Sequence, residues 1–327
     1  MRTILHTIDR AQIAPDPFPH VIADGVAETY PFPSADLIVD GRLLENNSVY
    51  RLPAARILGN PEVSREWQNF AQVHTSQAFF AEVVTLFGDT IRALHPELET
   101  RLGCRLEDAR TSIRGYEPMA DIALDCQLCW GSPVTTASSS NACHVDRPVA
   151  LFAGLLYCRL PEDDAEGGDL ELYRFRGTER RYDDGRFVDA SLVEPVKRIP
   201  YAANRLVFFL HSPHSLHGVT VRQPTQWPRL HVNFLAETRF PIFELRNQGV
   251  ILSREDGEGS APSGAARDRY GSFAPLRMTP GENAGVIPSE NAGVILSRED
   301  GEGSPAILRG DPSPSPGLRM TPRGSVV

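Results

Sequence analysis

Three observations predict a mainly β chain whose core is a double-stranded β-helix of the jelly-roll, cupin-like kind, with supporting helices before it and a disordered tail after it. Short apolar runs at about 122–130, 149–160, 169–175, 192–199, 205–211, 216–221 and 229–236 follow one another between Gly, Pro and Asp clusters, with no helical period between them. Ahead of these, Phe79, Phe80, Val83, Val84, Phe87, Ile91 and Leu94 recur at three- and four-residue steps, the period of a helix with one broad apolar face. After Arg246 the composition turns to Gly, Pro and Ser, and whole segments repeat letter for letter.

Taken in order, residues 1–120 read as a scaffold whose helices pack on the barrel. Asp16-Pro-Phe-Pro-His20-Val-Ile-Ala-Asp-Gly25 is a proline-punctuated extended stretch that leads into a short strand and a turn. Further short segments follow, Ala35–Asp40 among them. Ser64 can cap a helix carrying Trp67, Phe70 and Ala71, and His74-Thr-Ser-Gln77 breaks that helix and caps the next. The aromatic stripe of the second helix could line a ligand pocket, but a helix lying on the outer face of a sheet accounts for it more simply. The core spans 121–247. In the remainder, 248–327, Gly249–Ser260 returns as Gly293–Ser304, Leu276–Pro280 as Leu318–Pro322 and Glu282–Ile287 as Glu290–Ile295. Copies at unequal offsets lack the constant period of a solenoid, so this stretch reads as a low-complexity, disordered extension.

Bulk composition narrows the function classes. The chain has 327 residues, 41% of them hydrophobic, enough for a sizeable core. A formal net charge of -9 argues against a nucleic-acid partner and against polybasic attachment to a membrane. The first 16 residues hold no apolar stretch long enough for a signal peptide, and no run approaches the roughly 18 apolar residues of a membrane span. Five cysteines, an odd number, fit a reduced compartment better than a disulfide framework, and a cytoplasmic location is expected.

The chemistry-bearing pattern is His144-Val-Asp146 with His217 far downstream. On an extended backbone residues i and i+2 project to one side, so His144 and Asp146 can converge on one ion while Val145 points away. Two imidazoles and one carboxylate can occupy a face of an octahedral Fe(II) ion and leave three positions open. A rival zinc set, Cys126, Cys129, Cys143 and His144, is weakened because Cys126 and Cys129 lie three apart on a strand and face opposite ways. Buried thiols are the simpler outcome.

The ordered set His144-Val-Asp146, Leu155-Leu-Tyr157, Gly167-Gly-Asp-Leu-Glu-Leu-Tyr173, His217-Gly-Val219 and Arg229-Leu-His-Val-Asn-Phe234 resembles the 2-oxoglutarate and Fe(II)-dependent dioxygenases, in the branch similar to prolyl 4-hydroxylases. Pro17-Phe-Pro-His-Val21 and the helix after His74-Thr-Ser76 resemble uncharacterised bacterial members. The resemblance implies that His144, Asp146 and His217 hold Fe(II), with 2-oxoglutarate and dioxygen at the open positions and ascorbate as a support. It further implies that decarboxylation of the cosubstrate to succinate drives hydroxylation of an unactivated C–H bond. Retention of Asp146, where a halogenase of this superfamily carries a small residue, favours hydroxylation over halogenation.

For the distal carboxylate of 2-oxoglutarate the family uses a basic residue of the last strand, and Arg229 stands there; an arginine fork binds both oxygens. Arg222 competes but falls in a proline-bearing connection, and a strand holds the fork more rigidly. Where members often carry Ser or Thr two residues later, this chain has His231, which is larger and can gain charge near neutral pH. His211 and His214 read as rim or core residues, Asp169 and Glu171 as strand-edge carboxylates, and Arg180, Arg181 and Arg186 in 177–189 as solvated charge. The same scaffold also hosts proteins that bind a metal or ligand without oxidising anything, so the fold alone does not decide for an enzyme. Neither the substrate, small or peptidyl, nor the oligomeric state is legible.

Overall fold

Ten strands make two sheets in the computed structural model, which describes residues 1–183 and 185–247; the tail expected at 248–327 lies outside the described residues. In chain order the elements are β1 (His20–Asp24), α1 (Ala35–Val39), β2 (Val49–Leu52), α2 (Ala54–Ile57), α3 (Arg65–His74), α4 (Gln77–Leu94), α5 (Leu98–Leu102) and β3 (Thr111–Ile113). Then come β4 (Ile122–Gly131), β5 (Ala150–Tyr157), β6 (Leu170–Phe175), β7 (Val193–Ile199), β8 (Arg205–Leu210), β9 (His217–Val219) and β10 (Arg229–Thr238). The seven expected strands all form. The larger sheet runs β1-β8-β5-β10-β4-β2, with β3 beside β4, and the smaller runs β7-β6-β9. Residues ahead of 121 therefore supply three strands of the larger sheet as well as the helices.

Side-chain alternation along the strands decides what each face of the larger sheet meets. Leu230, Val232, Phe234 and Ala236 of β10, with Leu206, Phe208 and Leu210 of β8, join the main apolar cluster on the helix side. There Phe87 of α4 stacks on Phe208 at 5.2 Å, and Phe79 meets Phe152 and Phe234 edge-on or tilted at 6.4 and 6.3 Å. The aromatic stripe of α4 is thus core. Ser64 and Ser76 cap α3 and α4, each accepting a hydrogen bond from the backbone N–H three residues on, as the sequence predicts.

On the opposite face Ala153, Tyr157, Val207 and Phe209 pack against Leu170, Leu172 and Ile199 of the smaller sheet. This second cluster makes the two sheets a sandwich, the jelly-roll arrangement expected. Cys126 belongs to the helix-side cluster while Cys129, three residues on, does not. All five cysteines are unpaired, and burial pushes the Cys129, Cys143 and Cys158 thiols up to about 12. A zinc set through them finds no support in this geometry. No helix among the described residues is long and apolar enough to cross a membrane.

Candidate metal centre

His144 and His217, 73 residues apart in sequence (217 minus 144), are brought together by backbone pairing. The His144 N–H donates to the His217 carbonyl at 2.9 Å and the His217 N–H to the His144 carbonyl at 3.0 Å. Their rings lie 4.3 Å apart. Gly218 permits this approach, because a Cβ there would stand 3.1 Å from the backbone of Ala142 and Cys143. Val145 turns the other way, fully buried among Tyr182, Val188 and Leu216.

One ligand atom from each of His144, Asp146 and His217 can be chosen so that all lie within 4.8 Å of one another. His144 Nε2 is 3.5 Å from Asp146 Oδ1, and His217 Nε2 is 3.9 Å from Oδ2. Each imidazole has its Nδ1 on a carbonyl two residues back, His144 on Ala142 at 2.8 Å and His217 on Ser215 at 2.9 Å. With Nδ1 donating, the lone pair of each ring is on Nε2, on the Asp146 side, where that of His144 also takes the Asn141 amide N–H at 2.9 Å. Burial, with His144 beside it, pushes His217 down to about 3, so that ring is neutral. Burial would raise the Asp146 carboxyl, but His211, His144 and His217 around it hold it well below the usual carboxylate range. A neutral His217 imidazole and an ionised Asp146 carboxylate fit a divalent ion.

Arg229, Tyr157 and His231 meet on the sandwich side of the larger sheet. Tyr157 pairs directly with His231 across the β5–β10 ladder, and Arg229 is two residues from His231 on the same face. The Arg229 guanidinium is buried over the Tyr157 and Tyr201 rings at 5.0 and 4.9 Å, and its Nε donates to the Gly168 carbonyl at 3.0 Å. Arg229 Nη2, Tyr157 Oη and His231 Nδ1 are buried without a hydrogen-bond partner. Such a set fits a carboxylate, which would satisfy all three. Burial, then Arg229 and Arg51, hold His231 well below its ordinary value. The charge that His231 could gain near neutral pH is therefore withheld.

Arg222 is as deeply buried and its Nε and Nη1 also lack hydrogen-bond partners, but it sits 4.0 Å from the buried carboxylate of Asp163 and donates Nη2 to Trp227 O at 2.7 Å. Gly168, at φ +80°, lies between the two arginines, with a Cβ position 3.5 Å from Arg222 Cδ and Arg229 Cδ alike. Gly167, at φ +81°, would drive a Cβ to 1.9 Å from Val221 O. The Gly-Gly turn is thus needed for the arginines' close packing. His214 is exposed at the rim as expected. His211 is not a bystander, since its Nε2 lies 3.2 Å from Asp146 Oδ2. In the loop whose arginines read as solvated charge, the backbone at Arg186 and Val188 also flanks the ligands: Val145 N–H donates to Arg186 O at 3.1 Å and Val188 N–H to Cys143 O at 2.9 Å. Its apolar Tyr182 and Val188 were the overlooked signal.

Fold and site together define a two-sheet β protein with a His-x-Asp…His centre of the facial-triad type. No protein-family model matches the chain, and no curated protein does. It is similar to solved prolyl 4-hydroxylases from Phytophthora capsici (16% identity, TM-score 0.33, covering 58% of this chain and 48% of that one) and Pseudomonas putida (12%, 0.34, 68% and 93%). A 2OG-Fe(II) oxygenase-family oxidoreductase from Burkholderia pseudomallei is similar at 12% identity and a TM-score of 0.29, over 61% of this chain and 70% of that one. The chain spans about half the length of the Phytophthora structure.

Proposed function

We propose that the protein is an Fe(II)- and 2-oxoglutarate-dependent dioxygenase that hydroxylates an unactivated C–H bond and releases succinate and carbon dioxide. The observation that carries this reading is one apolar interior shared by two polar groups, the ligand triad and a set of buried atoms without hydrogen-bond partners. The metal triad touches it where His217 packs on Phe209 at 4.8 Å, and the orphaned Arg229, Tyr157 and His231 touch it through Tyr157 and Tyr201. A metal-binding protein without an oxidisable cosubstrate has no need of a second, buried anion cradle in the same interior.

His144, Asp146 and His217 would hold Fe(II), and the bound ion would supply oxygen activation coupled to oxidation of the keto acid. The protein's share is orientation. Arg229 fixes the distal carboxylate of the cosubstrate, Tyr157 and His231 add one hydrogen bond each, and the Phe209 and Tyr201 rings exclude water between the two ends. The five unpaired thiols fit a reducing, cytoplasmic setting. The substrate class is open to small molecules and peptides alike.

Anaerobic titration with Fe(II) and then 2-oxoglutarate, followed by visible absorption, should give a weak charge-transfer band, and admission of oxygen should release succinate. His144→Ala and Asp146→Ala should abolish both signals. A wild-type chain that binds Fe(II) yet gives neither band nor succinate with a 2-oxoglutarate excess would leave a binding protein and end the enzyme reading.

A further inference from the structure

The triad leaves His211 unexplained. This residue follows β8 and is fully buried, with its N–H donated to Leu151 O at 3.1 Å and its carbonyl held by His95 Nε2 at 2.9 Å. His95 itself caps the end of α4, so a helix and two strands fix the position. The ring stands edge-on to Phe209 at 5.3 Å, and neither ring nitrogen makes a hydrogen bond. Among the described residues its one ion contact is Asp146, with Nε2 3.2 Å from Oδ2. A buried imidazole with no other partner is costly to keep, and an apolar ring of the same size would pack as well beside Phe209.

We propose that His211 is a positioning residue for Asp146: its Nε2–H engages Oδ2, so that Oδ1 is turned to the ion and the carboxylate binds through one oxygen. The inference rests on the metal-site reading above. His211 does not join the set of ligand atoms that lie within 4.8 Å of one another, which separates it from a fourth ligand. Asp146 needs such a hold because it lies outside the named strands and is partly exposed, whereas His144 and His217 are each braced by a carbonyl on Nδ1. A carboxylate free to swing could chelate with both oxygens and close a coordination position that the reaction needs open. The 3.2 Å contact is off the hydrogen-bond axis, as expected of a ligand set that tightens only around its ion.

The test is titration of the full chain with Co(II), read by its visible ligand-field absorption, beside thermal melting of the metal-free protein. His211→Phe should weaken Co(II) about 10- to 100-fold and alter the absorption, with the metal-free melting temperature unchanged or higher. His211→Gln, whose amide nitrogen can replace Nε2–H, should recover most of the affinity. Unchanged Co(II) affinity in His211→Phe would overturn the proposal, as would failure of His211→Gln to recover affinity, the result expected of a direct ligand. A lowered metal-free melting temperature with normal affinity would make His211 a packing residue and nothing more. If wild type and Asp146→Ala alike fail to bind Co(II), the metal-site reading itself falls; Co(II) binding without 2-oxoglutarate turnover would cost only the enzyme assignment.

Discussion

Three guanidinium groups, those of Arg159, Arg222 and Arg229, crowd one end of the sandwich, and among the described residues the one carboxylate within 4 Å of any of them is Asp163. Arg159 and Arg222 share it; Arg229 has none. The two candidate arginines should therefore part ways on substitution. Arg222→Met strips a buried carboxylate of one of its two cationic neighbours and should cost about 3 kcal/mol of stability in urea unfolding. Arg229→Met removes an uncompensated buried cation and should leave stability within about 1 kcal/mol, with Fe(II) binding retained. It should weaken 2-oxoglutarate by at least about 30-fold, the loss expected on truncating a buried charge-assisted contact. Loss of 2-oxoglutarate binding in Arg222→Met alone, with stability intact, would reverse the assignment. At this scale the ligands were legible because i, i+2 projection is a local rule. The sequence offers Tyr157 for the 2-oxoglutarate carboxylate but not its register, since only the β5–β10 ladder sets it opposite His231.

Among the elements, the junction of α3 with the N-terminal segment depends on one neutral imidazole. His74, fully buried at the end of α3, accepts the Ile4 N–H on Nε2 at 3.0 Å and directs Nδ1 to Phe70 O at 2.8 Å. Burial pushes it down to about 4 from an ordinary 6.5. Because the folded state disfavours the proton, this contribution is full above pH 6.5 and is lost as pH falls from 6.5 toward 4. Linkage over that window gives about 2 kcal/mol less stability at pH 5 than at pH 7 from this group alone. His74→Gln keeps a donor and an acceptor without titrating, so urea unfolding at the two pH values should show a drop smaller than wild type's by about that amount. An equal drop in both proteins would remove His74 from the acid limb. The helices themselves were legible, because Ser64, Ser76 and the 3.6-residue apolar period are local signals. The flanking backbone at Arg186 and Val188 was not, for its partners Val145 and Cys143 lie about 40 residues away and no periodicity marks so short a pairing.

For the whole molecule, all seven core strands could be read from the sequence but their order could not. β10, the last strand, sits between β4 and β5, and β1 closes on β8 more than 180 residues later. Such pairings carry no local signal. The described chain ends with Leu245 packed in the third apolar cluster and the Asn247 side chain accepting from the Tyr182 N–H at 2.9 Å. Truncation after Asn247 should thus keep every described contact, and the melting temperature and succinate release of residues 1–247 should match the full chain; a large fall in either would tie 248–327 to the fold. Metal should act on the whole in a different way, because the ion joins the 144–146 segment to β9 and binds only the folded chain. At a free concentration 100 times the dissociation constant it should add about 2.7 kcal/mol. For a folded unit of about 250 residues that corresponds to a rise of roughly 5 to 10 °C in melting temperature. Chelator should reverse the rise, and Asp146→Ala should show none of it. A rise of the same size in Asp146→Ala would mean that the ion stabilises the fold from some place other than the triad.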